Sequence, residues 1–225
     1  EAIIARDVLL AEHVGSRLHI CHVSTAGSVE ILRWAKSRGI AVTAEVTPHH
    51  LLLTDQLATT YDPIYKVNPP LRSQSDVVAV REALAEGIID IVATDHAPHA
   101  MEDKECEWAA ASFGMLGLQT ALAVVNETMV RTGLLDWIQV AARMSTVPAE
   151  IGRVANHGRP IEVGEPANLT LFDPDTEWVV EASDMVSRSR NTPYAGMVLH
   201  GRVLGTWLRG RATLLDGVVV EFETV

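Results

Sequence analysis

An aspartate and two histidines stand together in Ala93-Thr94-Asp95-His96-Ala97-Pro98-His99, directly behind the apolar run Ile88-Ile89-Asp90-Ile91-Val92. A short β-branched run closed by turn residues reads as a buried strand, most simply in a parallel sheet. In α/β folds the C-terminal ends of such strands are where ligands sit. Asp and His together can bind a metal, activate water and move protons. Taken alone, the same residues also read as a strand-ending Asp that caps the next segment, with His96 and His99 as polar loop residues.

A second stretch, Leu18-His19-Ile20-Cys21-His22-Val23, carries the same kind of signal ahead of Ser24-Thr25-Ala26-Gly27 and a helical pattern. Side chains alternate along a strand, so His19 and His22 are expected on opposite faces. His22, nearer the C-terminal end, is the candidate ligand, and His19 is expected between strand and helix. The same alternation turns Cys21 away from the His22 face and makes it a small core residue. A lone strand-end His is usually structural, whereas one matched by an Asp on another strand end of the same sheet raises a metal hypothesis.

The elements that must hold these residues follow from periodicity. Ile4, Val8 and Ala11 form a helical stripe ending near Gly15, and Val29, Leu32 and Ala35 form the next, with Gly39 as its cap. Ile40 to Val46 reads as a strand. Ser75 is placed as the cap of a helix bearing Val77, Val80 and Leu84, closed by Gly87, ahead of the Asp95 strand. Leu118 to Met129 and Leu135 to Met144 read as further helices. This order implies parallel strands with right-handed crossovers. From about residue 160 the period changes. Ala167 to Asp173 and Met197 to Arg211 alternate as strands, and Asp216-Gly217 signals a hairpin before Val218-Val219-Val220. Residues 1–155 are therefore expected as the α/β part and 156–225 as a small β-module.

Composition narrows the partners. The chain has 225 residues, 48% apolar and 21% charged, with a formal charge of -11. That charge opposes a nucleic-acid or anionic-membrane partner, which calls for a basic face. No run approaches the roughly 20 apolar residues of a membrane-spanning helix, and no signal peptide is expected. Two cysteines give no disulfide framework, so a reducing cytoplasm is expected.

Four ordered motifs, His19-Ile-Cys-His-Val-Ser-Thr25, Glu45-Val-Thr-Pro-His-His-Leu51, Val67-Asn-Pro-Pro-Leu-Arg72 and Ala93-Thr-Asp-His-Ala-Pro-His99, closely resemble the class I dihydroorotases of the amidohydrolase superfamily. Ser189-Arg190-Asn191-Thr192-Pro193, followed by Gly196, is similar to that family's C-terminal module. The resemblance implies the rear part of a (β/α)8 TIM-like barrel, strands six to eight, followed by a β-sandwich module. The front portion, with further metal and substrate ligands, is expected to be missing. Three barrel strands then leave open sheet edges, with the apolar faces of Val42, Val92 and Leu169 only partly covered and residues 1–225 inactive by themselves.

The resemblance also implies roles. His22 matches a metal ligand, and Asp95 matches a metal ligand that is also the general acid/base. Asn68 and His99 match substrate-holding residues, and Phe113 and Gly114 fall where the family sets backbone groups against the pyrimidine ring. The implied cofactor is Zn2+, two per active site in the complete protein. The implied reaction is the reversible interconversion of N-carbamoyl-L-aspartate and L-dihydroorotate. His49, His50 and His96 read as packing or supporting groups, with metal binding the lesser alternative, and His13, His157 and His200 as surface or loop residues. The implied partner is a small-molecule substrate, with self-association or association with aspartate transcarbamoylase left open. Two other readings stand beside this one: a hydantoinase, dihydropyrimidinase or allantoinase, and a non-catalytic dihydroorotase-like scaffold for aspartate transcarbamoylase.

Overall fold

The computed structural model describes residues 1–221. Helix α1 (Ala2–Val14) stops where Gly15 adopts the left-handed conformation. The first strand, β1 (Leu18–Ile20), leads to α2 (Ala26–Ser37), which Thr25 caps by accepting a hydrogen bond from the Ser28 amide. Strand β2 (Val42–Val46) enters α3 (Pro48–Leu52), capped in the same way by Thr47. A long connection reaches α4 (Gln74–Glu86). Its cap is Ser73, whose hydroxyl accepts from the Asp76 amide; Ser75 already lies inside the helix. Strand β3 is only Ile91–Val92, and α5 (Met101–Lys104) follows.

The three strands form a parallel sheet in the order β1-β2-β3, with Leu18 opposite Val42 and Glu45 opposite Ile91. The strands are shorter than their apolar runs, because the chain turns where the polar motifs begin. Backbone pairing nonetheless continues past them: the Val23 amide donates to the Glu45 carbonyl and the Ala93 amide to the Val46 carbonyl, at 2.8 and 3.1 Å. Val42, Ala44 and Val46 pack with Leu32, Val80, Leu84 and Ile89 in one core against the helices. Val42 and Val92 are thus buried, contrary to expectation, because these helices already cover them. The opposite face of β2 carries Thr43 and Glu45. A buried-edge ion pair locks this layer, with Lys36 Nζ 2.8 Å from both Asp90 carboxylate oxygens.

Helix α6 (Ala121–Val125) runs into a π-helical turn over 126–130. Helix α7 (Trp137–Ala141) starts with a capping box between Asp136 and Gln139 and continues through a second π-helical turn into α8 (Val147–Gly152). The second sheet is antiparallel, in the order β4-β5-β6-β7, from β4 (Leu169–Val179), β5 (Val198–Leu208), β6 (Arg211–Leu215) and β7 (Val218–Val219). The single run expected over 197–211 breaks at Arg209-Gly210. Both residues have positive φ, the geometry of a tight hairpin turn. The Asp216-Gly217 hairpin forms as expected.

A second core joins loops and α6 of the α/β part to the antiparallel sheet and its connections, with Val67, Met115, Leu116 and Val124 clustered with Val180, Tyr194 and Leu199. His200, expected at the surface, lies in β5, with Nδ1 2.5 Å from Glu127 Oε1 and its amide bonded to the same oxygen. Apolar side chains of the antiparallel sheet stay exposed, Leu169 and Leu171 on one face and Val219 on the other. Among the described residues, no helix is long and apolar enough to cross a membrane.

Candidate functional site

His22 and Asp95 come together. His22 Nε2 lies 3.5 Å from Asp95 Oδ1. They sit beyond the C-terminal ends of β1 and β3, which are not neighbours: β2 runs between them and supplies Glu45. Both residues occupy the left-handed region, His22 with φ 56° and Asp95 with φ 47°. Non-glycine residues held there cost about 1–3 kcal/mol each and cluster at functional sites. Here the strained turns aim both side chains into one space.

Glu45 is the residue sequence reasoning missed. It is almost fully buried, and its two oxygens face two histidines. Oε2 lies 3.0 Å from His19 Nε2, and Oε1 lies 2.8 Å from His22 Nδ1, the latter a close but poorly aligned contact. His19 Nδ1 is held by the Thr43 hydroxyl at 2.8 Å. So His19 and His22 share one carboxylate instead of facing opposite ways. The alternation rule fails because the strand ends at Ile20 and the positive φ of His22 swings its ring back onto the His19 face. For the same reason Cys21 is exposed, not core, and its sulfur lies within 4.8 Å of donor atoms on His19 and Glu45. A buried acid one residue before the end of β2, opposite two histidines, was the available signal.

The electrostatics follow from this sharing. The Glu45 carboxylate, chiefly, raises His22, with the Asp95 charge adding and desolvation opposing. Burial pushes Glu45 up, but the bonds to His22 and His19 prevail and hold it below the usual carboxylate range. Burial raises Asp95 and Glu45 adds to that, against the His22 charge. Partial desolvation followed by Glu45 pushes the Cys21 thiol up.

His49 and His50 are buried supports. His50 Nδ1 meets the Thr47 hydroxyl at 2.7 Å and Nε2 meets the Pro69 carbonyl at 3.1 Å. Burial lowers both rings, His50 to about 4. His96 Nδ1 accepts from the Gly117 amide at 3.1 Å.

A second cluster gathers His99, Phe113 and Gly114. His99 Nε2 lies 2.8 Å from the Phe113 carbonyl. Gly114, at φ 125°, packs so closely that a Cβ would lie 2.5 Å from Ala97 Cβ and 3.2 Å from His99 Nε2. Asn191 braces them: its amide donates to the Ala97 carbonyl at 2.9 Å and its oxygen accepts from the His99 amide at 3.3 Å. Asn68 does not join them by its side chain, which is exposed and makes no hydrogen bond among the described residues. Its neighbour Lys66 does, through a carbonyl that accepts from the Gly114 amide at 2.9 Å. A cavity of about 410 Å³ opens beside His99, Lys104, Arg190 and Asn191. A larger one of about 730 Å³ is a mostly apolar groove over the antiparallel sheet, lined by Leu122, Phe172 and Trp178. Convergent polar groups mark the smaller as the one suited to a polar ligand.

The donor chemistry fits a metal ion: an imidazole nitrogen faces a carboxylate oxygen, and a buried carboxylate backs the other ring nitrogen, as ligating histidines require. Two donors are fewer than the three or four protein ligands of a zinc site.

The family model of the amidohydrolase family matches residues 2–213. The chain is 71% identical to a dihydroorotase of Streptomyces coelicolor, covering 96% of this chain and 51% of that protein, and 60% identical to one of Mycobacterium tuberculosis, covering 97% and 51%. Among solved structures, the L-hydantoinase (dihydropyrimidinase) of Arthrobacter aurescens superposes with a TM-score of 0.90 at 34% identity, covering 97% of this chain and 49% of that one. The chain thus spans about half the length of the relatives it matches. Since the family match takes in both the His22–Asp95 turns and the first two strands of the antiparallel sheet, this chain belongs to the amidohydrolase family.

Proposed function

We propose that this chain is the C-terminal half of a dihydroorotase, carrying strands six to eight of a (β/α)8 barrel in residues 1–155 and sandwich strands in 156–225. The observation that carries the reading is the His22–Asp95 pair, 3.5 Å apart and backed by Glu45. The exposed apolar residues of the antiparallel sheet and the half-length match to relatives support a missing front half. The reading implies zinc as the cofactor, two ions in the complete protein, and the cytoplasm as the compartment.

When bound, the metal pair would acidify water and polarise the ring amide. His22 would hold one ion through Nε2, oriented by Glu45. Asp95 would take the proton of the attacking water and return it to the departing ring nitrogen, a role its burial-raised pKa suits. His99, Phe113 and Gly114 would line the substrate rim, where a carboxylate and a cyclic imide call for fixed hydrogen-bonding groups, and the exposed Asn68 side chain would turn in to join them. The 71% identity to a dihydroorotase, against 34% to a hydantoinase, supports dihydroorotate over hydantoins and dihydropyrimidines as the substrate.

The test is a substrate panel on the full-length protein: dihydroorotate, dihydrouracil, hydantoin and allantoin, with bound metal measured in parallel. Ring opening of dihydroorotate alone, lost on chelation, is expected. Turnover confined to another substrate overturns the assignment, and a metal-free inactive protein points to a scaffold.

A further inference from the structure

Two buried lysines outside the His22–Asp95 cluster have no carboxylate within ion-pair distance among the described residues: Lys66 and Lys104, each 7% exposed. Buried ammonium groups are costly unless every donor is satisfied. Here every donor is. Lys66 Nζ donates to the carbonyls of Trp108, Ala109 and Ala111 at 2.7, 3.1 and 2.6 Å. Lys104 Nζ donates to those of Ser112 and Gly114, both at 2.9 Å, and to that of Lys66 at 3.4 Å.

All but one of these acceptors lie in residues 108–114, which form no helix or strand. Such a segment must find partners for its own backbone carbonyls, and the two ammonium groups provide them. The clamp is continuous with the substrate rim. Lys66 Nζ stands 4.6 Å from the centre of the Phe113 ring, and the Lys66 carbonyl accepts the Gly114 amide. Gly114 in turn packs against His99, and Lys104 lines the cavity beside His99 and Asn191. Burial, followed by the Lys66 charge, pushes Lys104 down to about 8, so at neutral pH it still holds its proton and all three donors.

We propose that Lys66 and Lys104 are positioning residues: together they clamp the 108–114 segment so that the Phe113 carbonyl stays on His99 Nε2 and holds the His99 ring where a cyclic amide would bind. This rests on the reading of His99, Phe113 and Gly114 as the substrate rim. The lysines touch no reacting atom, so their loss should act on affinity and loop order and leave the chemical step alone.

The experiment uses the full-length protein with Lys66→Met and Lys104→Met, which keep chain length but cannot donate. Lys66→Gln and Lys104→Gln, which retain part of the donor set, serve should a Met variant fail to fold. Chymotryptic cleavage after Trp108, mapped by mass spectrometry, reads the clamp without reference to activity. Charge-assisted hydrogen bonds of this kind convert to about 10-fold or more in rate of cleavage and in KM for dihydroorotate. Folded variants should show both, with kcat within about 2-fold of the parent, since uniform binding is what has been removed. Parental cleavage rates in both Met variants, or in both Gln variants if only those fold, overturn the clamp. Faster cleavage with an unchanged KM overturns its role in substrate binding. If the parent protein does not act on dihydroorotate at all, the functional reading fails, and the cleavage arm still decides the clamp.

Discussion

Replacing Glu45 should do more damage than its distance from any substrate suggests. Its carboxylate is the one group shared by His19 and His22, at 3.0 and 2.8 Å. A hydrogen bond to a charged partner contributes about 1.5–3 kcal/mol, so Glu45→Ala forfeits about that much from the His19 bond. The effect on metal is separable. Removing the group that orients a ligating histidine typically costs 10–100-fold in metal affinity, about 1.4–2.8 kcal/mol. Glu45→Gln keeps the shape and one acceptor and should fall between. The pH dependence carries a sign as well. Glu45 is held below its ordinary value, so its contribution is lost as pH falls through the lowered carboxylate pKa. His22 is raised, so its contribution is complete below about 6.5 and lost as pH rises through the raised value. The parent should therefore be most stable between these limits, and Glu45→Ala should flatten both flanks. Chelator competition and urea unfolding across pH on the full-length protein measure the two effects. A Glu45→Ala protein with metal affinity within about 2-fold of the parent would refute the orienting role.

Other outcomes follow from the same geometry. Asp95→Asn should lower turnover by at least about 10²–10⁴-fold, the contribution of a positioned acid/base, with further loss from the missing metal donor; near-parental turnover would exclude Asp95 from proton transfer. Gly114→Ala forces a Cβ to 2.5 Å from Ala97 Cβ at a φ of 125°, and should cost about 1–3 kcal/mol in urea unfolding while raising KM. His50 is pushed by burial from 6.5 to about 4, so its stabilising contribution is present above pH 6.5 and lost as pH falls toward 4, roughly 3 kcal/mol in all. His50→Gln should flatten that acid limb, and an unchanged limb would assign it to other groups.

What the sequence disclosed and what it hid divide along a physical line. Helix stripes such as Val29, Leu32 and Ala35 report burial directly, because a helix keeps one face inward over its whole length, and all three are buried. The His22 and Asp95 motifs were legible as strand-end chemistry for a related reason: an apolar run must stop where its polar ends emerge. The period-2 rule, by contrast, holds only while the strand lasts. Carried two residues too far, past Ile20, it set His19 against His22 and buried Cys21. The structure reverses both, because a left-handed residue follows directly on Cys21. Glu45 stayed hidden because a buried acid has meaning only through partners on another strand, and register decides those partners. The Lys66 and Lys104 acceptors stayed hidden for a stronger reason. They are backbone carbonyls, which every residue possesses, so no residue type in 108–114 could announce them. A site whose polar groups are side chains can be read from a sequence; one that recruits the main chain is visible only once the chain is folded.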